Sequence, residues 1–299
     1  MGYQTWDKVE SRRKIRRIVL IVLVVLLLAG AGAGGYLYYR NHKQDQQQQN
    51  YEKLKEKVFV TNTPTPTPEA TVTPTPTHTP TAEEMLFEAL YERYPDNFTI
   101  RPDFSLLHEE NSDIFAYISI PGTIVDYPIL AHEKEDYYLD HNLDHSTGYP
   151  GCLYIQNCNS TDLNDKFTIV YGHNMKNGTM FGSLKDYNNA EFRETHPYFF
   201  VYQEGRVSVY EIVVISHIST EHLLSADYKK VDGEWVFDKF DTYETSRMLQ
   251  WVRSEKDKNA YISSPEPTDY DTIMVLSTCG EGKRFIVVGK RVLNIESAK

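Results

Sequence analysis

Cysteine is scarce in this chain: three residues of 299, Cys152, Cys158 and Cys279. So few thiols exclude the disulfide framework that holds many small exported domains together. At most one bridge can form. Cys152 and Cys158 are poor partners for it, because they flank Leu153-Tyr-Ile-Gln-Asn157, a strand-like stretch that separates their Cα atoms beyond disulfide reach. Cys152 therefore reads as a small core residue and Cys279 as an unpaired thiol. Positive charge is also short, with 31 Lys+Arg against 42 Asp+Glu and a net charge of −11. The deficit is uneven. The first eighty residues hold 11 basic and 6 acidic side chains, leaving 20 against 36 beyond them, and that acidity argues against nucleic acid as a partner. No His/Cys/Asp/Glu group has ligand spacing, so neither a metal nor another cofactor is expected.

Long apolar runs are absent except for one, Ile18 to Tyr39, which is uncharged. As a helix it spans a hydrocarbon core of roughly 30 Å. A secretory signal peptide would have a shorter apolar core, and a buried core helix would show a polar face, which this run lacks. Basic residues crowd its N-terminal side from Lys8 to Arg17, against Arg40 and Lys43 beyond it. The positive-inside rule then leaves residues 1–17 in the cytosol, 18–39 as a transmembrane helix and the rest extracellular. Residues 40–80 open Gln-rich and charged and continue as Thr-Pro repeats from Thr61 to Pro80, the composition of an extended stalk. Residues 81–299 have the size of one domain.

Within that domain, Glu83 to Tyr94 shows helical spacing and stops at Pro95, and Leu106 and Leu107 suggest a second short helix. From Ile114 the period changes to that of strands, expected at 114–120, 123–130, 151–156, 166–171, 198–202, 206–217, 272–278 and 284–293. One helix interrupts the late strands, with Asp241 as its cap, Glu244 three residues on and an apolar stripe of Met248, Leu249, Trp251 and Val252. The fold class is mainly β, a closed or partly closed barrel.

The chemistry centres on Leu276-Ser-Thr-Cys279, followed by Gly-Glu-Gly-Lys and Arg284-Phe-Ile-Val-Val. A thiol ends one strand and a permanent cation begins the next. Positive charge favours the thiolate and can hold the oxyanion formed when sulfur attacks a carbonyl. A departing amine then needs a proton, for which histidine is best suited near neutral pH. Ten histidines compete. His173 stands directly after a β run with Gly172 as a turn, where functional side chains tend to sit. His132, His141 and His145 read as solvated loop residues, and His217 and His222 as second choices. Taken singly, each of Cys279, His173 and Arg284 has an ordinary structural reading; in combination they make a site.

These residues resemble the sortase family, the membrane-anchored cysteine transpeptidases of Gram-positive surfaces, and within it class B. The resemblance rests on Leu276-Ser-Thr-Cys279 with Arg284, on Tyr171-Gly-His173, on Asn177-Gly-Thr-Met-Phe-Gly-Ser-Leu184, and on the strand pair from Asp113 to Ile129. It covers most of the chain from about Asn111 to Val292, and the helix after Asp241 is similar to the class B insertion. It implies a closed β-barrel of about eight strands with N-terminal helices. It implies Cys279 as nucleophile, His173 as acid to the leaving amine and Arg284 as donor to the oxyanion or substrate backbone. Tyr171, Ser277 and Thr278 would be substrate contacts. The implied reaction cleaves the sorting-signal peptide of exported proteins, forms a thioacyl enzyme and passes the acyl group to an amine of a peptidoglycan precursor or of a pilin. The Gly-Glu-Gly-Lys link is shorter than in some class B members. Two other readings stand beside this one: a papain-like or wall-hydrolysing cysteine peptidase, which usually has its Cys at a helix N-terminus and before its His, and a non-enzymatic membrane-tethered binding domain on a stalk.

Overall fold

The computed structural model describes residues 3–59, 79–219, 228–231, 234–237, 244–280 and 282–296. The chain divides into two compact units, Met1–Gln49 and Asn50–Lys299. A single helix, α1 (Tyr3–Val58), contributes to both. In the first unit its apolar side chains from Ile18 to Leu28 are all exposed. By length and composition the helix is long and apolar enough to cross a membrane.

In the second unit the end of α1 is core. Tyr51, Leu54 and Val58, at helical spacing, are buried; the Tyr51 hydroxyl donates to the Gly151 carbonyl at 3.2 Å, and Lys55 pairs with Asp126. Phe59 meets Tyr117 edge-on at 5.1 Å between centroids. Of the segment expected as a stalk, residues 40–58 are helical. The Gln-rich stretch is helical to Val58, and the folded unit begins near Asn50 because three apolar side chains in a polar sequence fall on one helical face. The Thr-Pro repeat lies outside the described residues over 60–78. Val58 and Leu90, on either side of it, are both buried and belong to the second unit.

Helix α2 (Ala82–Arg93) starts at a capping box in which the Thr81 hydroxyl accepts from Glu84 N–H and the Glu84 carboxylate from Thr81 N–H, the reciprocal arrangement that satisfies two orphan donors. Pro95 ends it and opens α3 (Pro95–Thr99), and α4 (Phe104–Glu110) is capped by Asp103. The strands are β1 (Ile114–Ser119), β2 (Asp126–Leu130), β3 (Leu153–Ile155), β4 (Phe167–Tyr171), then, after α5 (Ala190–Thr195), β5 (Tyr198–Gln203) and β6 (Arg206–Ser219). A two-stranded ribbon, β7 (Tyr228–Val231) and β8 (Glu234–Phe237), precedes α6 (Glu244–Ser254), and β9 (Tyr261–Ile262), β10 (Ile273–Gly280) and β11 (Lys283–Glu296) follow. The ribbon and β9 were not anticipated, and the expected Asp241 cap of α6 lies outside the described residues.

The sheet order is β11-β10-β4-β3-β2-β1-β5-β6-β9, and β11 also pairs β6. That pairing closes eight strands into a barrel and leaves β9 as an extra edge strand, as the expected closed barrel requires. Most pairs are antiparallel; β2–β3 and β4–β10 are parallel. The β4–β10 pair matters most for function, because it brings together segments about a hundred residues apart. Strand β4 has all five residues buried, so both of its faces are covered.

Candidate active site

Three adjacent strands, β4, β10 and β11, assemble the candidate residues. Ser277 on β10 stands in parallel register with Tyr171 on β4, and the Gly172 N–H donates to the Ser277 carbonyl at 3.1 Å. Two residues further along each strand line come Cys279 and His173. On the other side of β10, Cys279 is the direct antiparallel partner of Arg284. Neighbouring strands lie about 4.8 Å apart, so β10 runs between β11, where Arg284 is the partner of Cys279, and β4, which ends two residues before His173. The expected tight turn is present: Gly280 pairs Lys283, and Gly282 at φ +76° takes the left-handed conformation that such a turn requires and glycine adopts without strain.

His173 is placed by its surroundings. A Cβ on Gly172 would stand 2.6 Å from the Phe181 ring and nearer still to Leu153, so only glycine lets the chain leave β4 here. The loop that follows is tied off by the Phe181 N–H to the His173 carbonyl at 3.0 Å and by a bridge between Asn174 and Met180. The imidazole Nε2 lies 2.7 Å from the Leu139 carbonyl, and the Tyr149 ring packs on it at 4.5 Å. A carbonyl only accepts, so Nε2 carries a hydrogen and Nδ1 is the nitrogen left for proton transfer. Burial pushes the His173 pKa below its ordinary 6.5, with the Leu139 carbonyl opposing in part. The group rests as neutral imidazole near neutral pH.

Arg284 lies over the face of Tyr171, its guanidinium carbon 5.4 Å from the ring centre. Tyr171 in turn packs on Tyr154 at 5.4 Å, and the Tyr154 hydroxyl donates to Asp136 at 2.8 Å. The cation therefore rests on a tyrosine platform with a carboxylate behind it. Tyr171 and Ser277 are buried and support the site from beneath, so their side chains do not lie open to a substrate as the resemblance implied. Thr278, 2% exposed, faces a cavity of about 420 Å³ shared with Phe285 and His217.

The other histidines separate clearly. His217 accepts the role of a structural partner, its Nδ1 donating to Asp257 at 2.9 Å, on the opposite face of β11 from Arg284. His222 lies outside the described residues. His132 and His141 are not solvated as expected: both stack on Tyr137, at 3.9 and 4.0 Å, and are partly buried because a planar ring offers each a face; His145 is exposed. Cys152 is buried and Cys158 half-buried, and neither is bridged. Among the described residues no cluster of three His, Cys, Asp or Glu is placed to hold a metal. Leu139, Tyr149, Tyr154 and Asp136 were not singled out from sequence. A backbone carbonyl carries no signature, Tyr149 fell in a segment read as loop, and Tyr154 lay in the expected strand 151–156 without a mark of its own.

A closed β-barrel in which a cysteine near the end of one strand pairs with an arginine on the next defines a class, and comparison with known proteins identifies it. Residues 118–292 match the Sortase domain, more than half of the chain, which therefore belongs to the sortase family of cysteine transpeptidases. Relatives place it in class B. It is 31% identical to sortase B of Listeria monocytogenes over 201 residues, covering 66% of this chain and 76% of that protein. It is 28% identical to sortase B of Staphylococcus aureus over 209 residues, covering 68% and 80%. The crystal structure of Clostridium perfringens sortase B superposes with a TM-score of 0.53 at 26% identity, covering 63% of this chain and 99% of that one. The papain-like and non-enzymatic readings are set aside by this membership.

Proposed function

We propose that Cys279 is the nucleophile of a two-step acyl transfer, with His173 carrying the proton and Arg284 holding the oxyanion. The Cys279 thiol gives its proton to Nδ1 of His173, the thiolate attacks a peptide carbonyl of the sorting signal, and the C–S bond forms as the C–N bond breaks. The imidazolium returns the proton to the leaving amine. An acceptor amine then attacks the thioester; a C–N bond forms, the C–S bond breaks, and the amine's proton returns to the imidazole and thence to sulfur. Arg284 suits the oxyanion because guanidinium stays charged and its donors are fixed in a plane. The observation that carries this reading is the strand register: position 279 paired with 284 and two residues beyond the Ser277–Tyr171 rung that precedes 173.

The donor substrate is the sorting-signal peptide of an exported surface protein, and the acceptor an amine of a peptidoglycan precursor or of a pilin. Residues 1–17 face the cytosol, α1 anchors the chain, and the catalytic domain works outside. Cys279→Ala is expected to abolish transfer while the domain stays folded, read by mass spectrometry with sorting-signal peptides. Hydroxylamine offered in place of the amine should release the donor as a hydroxamate from wild type only. An active, folded Cys279→Ala variant would refute the assignment.

A further inference from the structure

Tyr51, near the end of α1 and within the second unit, is a buried side chain whose polar atom needs a reason. Burial pushes its pKa up, so the hydroxyl stays protonated and is a donor. It donates to the Gly151 carbonyl at 3.2 Å. A phenylalanine would fill the same space in the core; only the hydroxyl makes this bond.

Gly151 is packed on the peptide that meets His173. A Cβ on Gly151 would stand 2.4 Å from the Tyr138 carbonyl oxygen and 2.8 Å from that of Leu139, so its Cα lies directly against that stretch of backbone. The next residue, Cys152, donates its N–H to the Tyr138 carbonyl at 3.0 Å and pins the contact. The Leu139 carbonyl accepts from His173 Nε2 at 2.7 Å, and Tyr149, two residues before Gly151, covers the imidazole at 4.5 Å. One hydrogen bond and one packed peptide thus lead from the Tyr51 hydroxyl to the imidazole.

A second route starts from the Tyr51 ring. It meets Tyr127 edge-on at 5.2 Å, a favoured aromatic geometry, and the Tyr127 hydroxyl accepts from the Met180 N–H at 3.2 Å. Met180 stands at φ +52°, a conformation that a residue with a side chain holds only where its surroundings impose it. It forms a bridge with Asn174, and the Phe181 N–H beside it donates to the His173 carbonyl at 3.0 Å. The hydroxyl of Tyr51 therefore reaches the imidazole, and its ring reaches the backbone that carries that imidazole.

Resting on the transpeptidase reading, we propose that Tyr51 is a positioning residue for His173: through Gly151 its hydroxyl sets the Leu139 carbonyl, which keeps the hydrogen on Nε2 and leaves Nδ1 for the proton of Cys279. Tyr51 takes no part in the bonds made and broken. The last turns of α1 then tune the reaction as well as complete the core.

The test uses the full chain in detergent. Tyr51→Phe removes only the hydroxyl and keeps the ring, so the domain is expected to fold. Its kcat for hydroxylaminolysis of a sorting-signal peptide should fall about fivefold, the worth of one hydrogen bond, with KM unchanged. Tyr51→Leu, which also loses the ring, should fall about thirtyfold, as for a small misplacement of a reacting group. Nitrogen NMR of the histidine side chains, with His173 assigned by the loss of its signals in His173→Gln, should show Nε2 protonated in wild type and a shift toward mixed tautomers in Tyr51→Phe. Leu54→Ala, one turn along α1, is the stability control: it should lower the melting midpoint more than Tyr51→Phe does, yet keep kcat near wild type at a temperature where both are folded. An unchanged kcat or unchanged His173 signals in Tyr51→Phe overturns the proposal, as does an equal loss of kcat in Leu54→Ala. If wild type releases no hydroxamate, the transpeptidase reading fails by itself, and the His173 signals still decide whether Tyr51 positions the ring.

Discussion

Leu54 tests where the catalytic domain begins. The side chain is 5% exposed and stands on the last turns of α1 between Tyr51 and Val58, both also buried. Leu54→Ala removes about three methylene equivalents, worth roughly 2.4 kcal/mol in transfer at about 0.8 kcal/mol each. A cavity term adds to this, and measured losses for such buried truncations run at about 2–5 kcal/mol. A value near 3 kcal/mol is a large share of the 5–15 kcal/mol typical of a domain. In a unit of this size it lowers the melting midpoint by about 6–12 °C. The control is Lys53→Ala, one residue away on the exposed face, expected within about 0.5 kcal/mol of wild type. Thermal and guanidinium unfolding of the full chain in detergent, followed by near-ultraviolet circular dichroism, measures both. If Leu54→Ala matches Lys53→Ala, residues 50–58 are a spacer after all and the boundary near Asn50 is wrong.

Two further outcomes are expected at the site. Tyr171→Leu removes the ring beneath Arg284, a cation–π contact worth about 0.5–2 kcal/mol, and should lower kcat/KM about 2- to 30-fold. Tyr171→Phe keeps the ring and should lose much less, so equal losses in folded variants would refute the platform. For His173, burial makes protonation harder in the folded than in the unfolded chain. Its contribution to stability is present above 6.5 and lost as pH falls through the lower folded value. The unfolding midpoint of wild type should therefore fall relative to His173→Gln as pH drops below 6.5, and parallel profiles would contradict the buried, neutral assignment.

Much of the barrel was legible because its strands are short apolar runs bounded by turn residues, as in 114–120, 166–171 and 272–278. Cys279 and Arg284 were legible together because only a tight turn separates them, and a hairpin is local. His173 was legible as a loop residue after a strand, yet its proximity to Cys279 depends on the parallel β4–β10 pair. That contact spans about a hundred residues and has no local pattern. The helical end of α1 was missed because Gln and charge dominate its composition, and three side chains at i, i+3 and i+7 decide the outcome. The β7–β8 ribbon had a readable signal in Asp232-Gly233, a strong hairpin dipeptide, set between Tyr-Lys-Lys-Val and Glu-Trp-Val-Phe.

The parts of the site that sequence did not reveal pack around His173 and Arg284. The Leu139 carbonyl chooses the tautomer of His173, Tyr149 covers its ring, and the Tyr171–Tyr154–Asp136 series sets the bed for Arg284. Leu139, Tyr149, Tyr154 and Asp136 come from the stretch 136–154 that leads into and includes β3. One excursion of chain between β2 and β4 thus contacts His173 directly and Arg284 through Tyr171. On the proposed mechanism, changes there are expected to alter the reaction without touching Cys279, His173 or Arg284.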